Sequence, residues 1–579
     1  MRWLVGSLFI LLVCEFLYAQ MSRYGPSSTE WLQSGHDYKK TRRAPLKCTS
    51  PANVYRVWTS EDSPGNFFQS GGAVYNNAYD WDNNGYVEVS GGGDDCDQWG
   101  CDILWRLHWG GGGIIFERSW GNEAYLGYWA TGYTSSGQSR VAFHTWDGNV
   151  FRLTDGAGNT IYEVGTTGSD MTVADINNDG CAEIYVSHSN NFRAINICLN
   201  YYNYIWSVYQ PGVIGSAIGH VENTNSWDVV ITTNDGIVIR DAATGNLKNT
   251  IPISGSKTLP TLADIDGDGL DEIIVGIMAG GCQQVCACYD WDNGQYYPCT
   301  CPDGCWDNQW NCTGVSCGYC VIDENSGNWI CYACDPSTYY AIRAYDFNGN
   351  LIWSYGSSPT CTYESAALSQ IAIGRILPGN QLGVAFLLNG QLYVLRASDG
   401  TYIAGPIGSY FGSPSIADMN ADGVEGVIVS DGCGNPKEHS FVNGWTNPVW
   451  SASGCADEPP ITSDLIISKW YMTGDPPQGK LMIVEGDASC FTNVWHCQSA
   501  EIITPVDISE TKKIEPYVYY EKGYVKVLNY SGNVEIYDIA GNRIISNRID
   551  NKGEIKLKKQ GVFIVKLQDK TYKLIANGR

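Results

Sequence analysis

Three short acidic loops share one arrangement of oxygen-bearing side chains: Asp80-Trp-Asp82-Asn-Asn84-Gly85-Tyr-Val-Glu88, Asp175-Ile-Asn177-Asn-Asp179-Gly180-Cys-Ala-Glu183 and Asp264-Ile-Asp266-Gly-Asp268-Gly269-Leu-Asp-Glu272. Carboxylate or amide oxygens at positions 1, 3, 5 and 9, with a glycine at 6 for a sharp turn, can surround a hard cation such as Ca²⁺. A fourth loop offers Asp418, Asn420 and Asp422, but its position 9 is Gly426, with Glu425 one place early. Asp, Asn and Gly also make good turns before strands with no metal at all. Three copies that each keep an acid at position 9 favour calcium. An EF-hand is excluded, because position 12 is Gly91, Val186 or Val275 in place of a bidentate Glu. The residues after each loop are β-branched and apolar, as in Glu272-Ile-Ile-Val-Gly276, so the loops run into strands.

The elements that must hold these loops repeat with them. Copies aligned on position 1 begin at Asp80, Asp175, His220, Asp264, Arg375, Asp418 and Asp464, and the uninterrupted ones are spaced by about 45 residues, the period of a propeller blade. The copies at His220, Arg375 and Asp464 lack the carboxylate set and are expected to be structural. Each loop is succeeded by an Asn-Gly or Asp-Gly hairpin signal, as at Trp146–Val150, Asn234–Val238, Asp346–Asn350 and Leu388–Leu392. Each unit then reads as three or four antiparallel strands that cannot bury their faces alone, which predicts an all-β, seven-bladed β-propeller; an open β-solenoid is the structural alternative. With 12% aromatic residues, 66 glycines and 17% charge, the composition fits strands and tight turns.

The Asp-x-Asp/Asn-x-Asp-Gly loops followed by Glu/Asp-Ile-Ile/Tyr-Val resemble the FG-GAP/VCBS repeats of integrin α-subunit propellers and many bacterial surface proteins, over roughly residues 70–500. The resemblance implies calcium in the loops and a surface or secreted location.

Arg2, the apolar run from Leu8 to Val13 continuing to Leu17, and Tyr18-Ala19-Gln20 read as a secretory signal peptide over 1–20. The 22 cysteines agree with export to an oxidising compartment. Eleven of them fall between Cys282 and Cys334, a Cys-rich insert within the unit that begins at Asp264. Cys96/Cys101, Cys181/Cys198, Cys433/Cys455 and Cys490/Cys497 are close enough to staple single blades. Cys317-x₂-Cys320-x₁₀-Cys331-x₂-Cys334 has the spacing of a four-thiolate zinc site, although disulfides suit an oxidising compartment better.

From about Thr511 the charge inverts: 14 Lys+Arg stand against 7 Asp+Glu in a chain whose total is −25. This marks a boundary, with residues 21–69 an N-terminal segment, 70–499 the propeller, 500–516 a linker and 517–579 a C-terminal β-sandwich. Asn533-Val-Glu-Ile-Tyr-Asp-Ile-Ala-Gly541, Gly561-Val-Phe-Ile-Val-Lys566 and Tyr572-Lys-Leu-Ile575 resemble the C-terminal sorting domain of type IX secretion cargo. That resemblance implies secretion machinery as a partner and attachment to the outer surface of a Gram-negative type bacterium.

The acidic balance excludes nucleic acid as a partner. Three functions then compete. One is adhesion or recognition of an extracellular glycan or protein, with inserts at 91–139 and 282–334 and aromatics such as Trp105, Trp109, Trp120, Trp129, Trp306 and Trp310 as contact surface. The second is a polysaccharide lyase or hydrolase; His36, His108, His144, His188, His220, His439 and His496 are the candidate bases, but none sits in a catalytic motif, so no catalytic residue is assigned. The third is a self-associating structural subunit of a surface layer or filament.

Overall fold

Strand after strand in this chain pairs with its sequence neighbour, because tight turns of the Asn-Gly and Asp-Gly kind leave no length for crossovers. At the Leu388–Leu392 signal, Asn389 and Gly390 both take left-handed backbone (φ 51° and 73°) and join Gln381–Leu388 to Gln391–Arg396 as an antiparallel hairpin. The computed structural model describes residues within 24–48, 55–60, 75–108, 114–120, 126–198, 204–299, 317–356, 368–452, 465–502 and 517–576, apart from short stretches inside those ranges. The fold is all-β, and no described helix is long and apolar enough to cross a membrane.

Two compact units emerge: residues 1–376 with 382–504, and residues 377–381 with 505–579. In the first, eight antiparallel sheets succeed one another, built from residues 75–120, 126–165, 172–209, 213–252, 256–356, 372–407, 411–451 and 466–497. The eighth takes its outermost strand, Tyr55–Ser60, from the N-terminal part of the chain. First strands of the first to fifth sheets meet in succession, and Ile466–Trp470 contacts both Phe411–Asp418 of the seventh sheet and Tyr75–Tyr79 of the first. These sheets fit a β-propeller.

Seven copies are expected from the sequence; among the described residues the first unit holds eight sheets besides that of the Cys-rich insert. The additional sheet is 126–165, whose first turn is Thr134-Ser-Ser-Gly-Gln138, with no carboxylate to mark it. The described residues of 91–139, expected as an insert, belong to strands of the first two sheets and the turn at 134–138. Asp464, where the seventh copy is expected to begin, lies outside the described residues. The Cys-rich insert does form its own four-stranded sheet, in the order Gln295–Cys299, Cys282–Asp290, Trp329–Cys334, Cys317–Ile322.

Sheets covered on both faces need strands that are apolar throughout. Glu183–His188, Asp228–Thr233 and Gly426–Ser430 are buried at every residue, whereas the outermost strands Tyr204–Tyr209 and Leu351–Gly356 bury only their central Trp206 and Trp353. Each of these indoles donates from Nε1 to a carbonyl in the next sheet, Ala242 (2.8 Å) and Ala397 (2.7 Å). Gly245 and Gly400 lie under the rings at φ 74° and 66°, where a Cβ would strike the indole.

An N-terminal strap ties the first strands together. Leu32 O accepts from Thr131 N, Tyr38 O from Ile218 N, Lys39 O from Leu262 N, Thr41 O from Ile373 N and Arg42 O from Ile416 N, while the Gln33 amide accepts from Val173 N and donates to Val173 O. The strap thus visits the second to seventh sheets in order. It ends as Arg43–Cys48, parallel to Phe411–Asp418 and antiparallel to Ala500–Ile502.

In the second unit, a three-stranded sheet (Tyr517–Glu521, Tyr524–Leu528, Lys552–Lys556) and a four-stranded one (Arg543–Ile549, Gly532–Asp538, Gly561–Leu567, Lys570–Ala576) share a core that includes Val525, Val527, Ile536, Phe563 and Val565. The signal peptide and most of the linker lie outside the described residues.

Candidate metal centres

Each acidic loop joins the first strand of a sheet to its second, and the ligand side chains also fold the loop. The position 1 carboxylate accepts backbone N–H groups from across the turn: Asp80 from Asn84 (3.0 Å), Asp175 from Asp179 and Gly180 (3.1 and 2.9 Å), Asp264 from Gly267 and Gly269 (2.6 and 3.0 Å), Asp418 from Gly423 (2.9 Å). Position 3 accepts from the N–H of position 5 in all four loops, through Asp82, Asn177, Asp266 and Asn420. Position 5 accepts from position 7 in the same way, through Asn84, Asp179, Asp268 and Asp422. These stacked Asx turns require left-handed backbone at position 4, where Asn83, Asn178, Gly267 and Ala421 have φ between 56° and 86°. That requirement is additional to the glycine at position 6.

The position 9 acid closes the loop from the far side. Glu88 accepts from Trp81 N, Glu183 from Ile176 N and Glu272 from Ile265 N, at 2.8–3.1 Å. Carboxylate oxygens of Asp80, Asp82 and Glu88 come within 4.8 Å of one another, as do those of Asp264, Asp266 and Asp268. Among the described residues no such trio of acids forms in the other two loops, where position 3 is the amide of Asn177 or Asn420.

Burial, then neighbouring carboxylates, make these acids hard to ionise together. Glu183 and Glu272 are pushed up to about 8, and burial raises Asp418 to about 6. Asp175 and Asp264 are raised as well, again chiefly by burial. An all-oxygen, crowded, half-buried anionic set fits a hard divalent cation, which would offset the repulsion. The residues present fit calcium.

The copy at His220 solves the same problem with a side chain. Its position 9 acid, Asp228, accepts from Val221 N (3.1 Å) as the glutamates do. Lys248 Nζ then lies 2.6 Å from Asp228 and 2.8 Å from Glu222, so an ammonium supplies the counter-charge to these carboxylates. Burial alone would lower the Lys248 pKa, but the two carboxylates raise it on balance.

The acid at position 8 has a separate task. Asp271 accepts from His220 N (3.0 Å) and from Lys39 Nζ (2.6 Å), joining two sheets and the strap. Glu425 does the same with Arg375 N (2.8 Å) and Arg43 Nε (2.7 Å). Glu425 is therefore not a displaced position 9 ligand.

The described histidines of the catalytic candidate set are engaged in packing. His439 bonds Trp445 O and the Tyr410 hydroxyl, His220 bonds Ser226 O, and His36 faces Asp37. His144 and His188 pack at a tilt against the Phe151 ring in the interior. Trp129 is buried, and Trp109, Trp306 and Trp310 lie outside the described residues, as do the side chains of Trp105, Trp120, His108 and His496. Of the expected staples, Cys181–Cys198 is formed. Cys96 and Cys101 are opposite each other in register, as are Cys320 and Cys331 in the insert; Cys433, Cys455 and Cys490 lie outside the described residues.

No family model matches the chain. No curated protein matches it. Among solved structures it is similar to BamB from Moraxella catarrhalis, at 11% identity and a TM-score of 0.40, over 76% of this chain and 97% of that one. It is also similar to the V. cholerae biofilm matrix protein Bap1, at 11% identity and a TM-score of 0.42, over 78% of this chain and 91% of that one.

Proposed function

We propose that the chain is an exported, calcium-loaded β-propeller whose eight sheets are its blades, and that it serves as a surface recognition or adhesion module for an extracellular glycan or protein. The observation that carries this reading is the recurrence of one hydrogen-bonded acidic loop, joining first to second strand, at Asp80, Asp175, Asp264 and Asp418. Chemically equivalent sites repeated around one scaffold stiffen it without performing a reaction, which suits presentation of a binding surface. The leader-like N-terminus, the cysteine usage and the tail that resembles a type IX sorting domain support export to the cell surface. Purified oxidised protein, loaded with calcium and applied to an array of bacterial and plant glycans, is expected to retain a defined subset, with loss of binding in chelator. Binding that is indifferent to chelator, or retention of no glycan together with no capture of any surface protein, counts against the reading.

A further inference from the structure

The loop at Asp418 has no position 9 acid, yet its position 2 amide is not left without one. Met419 N donates to Glu438 Oε2 at 3.2 Å. This is the bond that Trp81, Ile176 and Ile265 make to Glu88, Glu183 and Glu272, but Glu438 lies on the third strand, Pro436–His439, twelve residues beyond position 9. Two neighbours show that the carboxylate has been moved and not lost. A Cβ on Gly426 would fall on the Glu438 side chain, against its Cγ, Cδ and Oε1, so the glycine at position 9 is the space through which Glu438 reaches the loop. In the third and fifth sheets, whose position 9 is Glu183 or Glu272, the third-strand residue in the register place of Glu438 is Ala194 or Ala344. In these two sheets glutamate on the second strand goes with alanine on the third, and in the first sheet Glu88 goes with Leu107; in the seventh, glycine on the second strand goes with glutamate on the third.

Glu438 is fully buried, and its Oε1 has no hydrogen-bond partner; the same holds for Asp418 Oδ1. Two buried carboxylate oxygens lacking donors, one on the loop and one on the strand beside it, carry a large desolvation cost when ionised unless a cation meets them. We infer that Glu438 is the ninth-position ligand of the fourth loop, supplied from the neighbouring strand, and that with Asp418, Asn420 and Asp422 it completes a fourth calcium site. The inference rests on the reading of the acidic loops as calcium sites and adds a residue to it that loop spacing does not contain.

The test counts bound calcium per chain by equilibrium dialysis and metal analysis of the full-length oxidised protein, with circular dichroism to verify folding. Glu438→Gln keeps an acceptor for Met419 N but removes the charge, and is expected to lose one ion relative to the wild type, as Glu272→Gln does. Should Glu438→Gln fail to fold, Glu438→Asp is expected to weaken one ion's affinity at least about tenfold and leave the others unchanged. The pair Gly426→Glu with Glu438→Ala, which rebuilds the arrangement of the third and fifth sheets, is expected to recover the wild-type count. Full occupancy and unchanged affinity in the Glu438 variants, with one ion lost in Glu272→Gln, overturn the role of Glu438 and leave the other loops standing. No calcium bound by the wild type overturns both.

Discussion

Lys248 answers an electrostatic problem that the proposed calcium ions would answer in the other loops, a half-buried cluster of carboxylates between two strands. Removing the ammonium leaves fully buried Asp228 without its counter-charge. Breaking such a pair from one side costs roughly 3–5 kcal/mol, and because Lys248 retains some exposure the lower end is expected for Lys248→Met, read as a shift in denaturant midpoint. A loss under about 0.5 kcal/mol would show that the carboxylates are already relaxed by water. His144 and His188 supply a second residue-scale prediction. Burial holds His144 down to about 4, and burial with the positive influence of His144 and Arg193 holds His188 down to about 2. The unfolded chain binds protons at these sites near pH 6.5 and the fold does not. The contribution of these two histidines is therefore full above about pH 6.5 and falls as the pH drops towards 4. The double variant His144→Gln/His188→Gln should flatten this acid limb in a series of thermal melts. An unchanged slope would assign the limb to other groups.

At the scale of elements, the strap of residues 32–48 binds six consecutive sheets that otherwise touch mainly their neighbours. Its Lys40 is 1% exposed and pairs with fully buried Asp170 at 2.8 Å while donating to Met171 O. Lys40→Met is expected to cost roughly 3–5 kcal/mol and to lower the melting temperature of the whole propeller unit as one transition. A separate early transition would instead show that the strap detaches alone. Nothing in the sequence announces this element, because five of its ties are backbone carbonyls, which leave no side-chain signature. The acidic loops are legible for the opposite reason: every turn of their Asx ladders requires a particular side chain, and the glycines a particular φ. The second sheet lacks that signature, since its first two strands are joined by a short turn held through the Thr134 hydroxyl, and so no acidic loop marks it in the sequence. Glu438 is illegible because its partnership with Gly426 is set by strand register, which spacing along the chain does not reveal.

On the scale of the molecule, the eight sheets close through contacts of first strands, the strap and the Tyr55–Ser60 strand, so stabilisation of the loops should be felt cooperatively. Each loop that binds a cation only when folded contributes RT ln(1 + [L]/Kd), about 2.7 kcal/mol at a hundredfold excess over Kd. The positively charged C-terminal unit has its own core and is expected to melt independently of calcium. The central claim is tested most directly by titrating calcium into the oxidised protein while recording bound metal per chain and the unfolding midpoint. One ion bound per acidic loop, with a steep rise in the propeller transition and none in that of the C-terminal unit, is the result expected. No bound calcium and an unchanged midpoint would make the four loops turns alone and contradict the account.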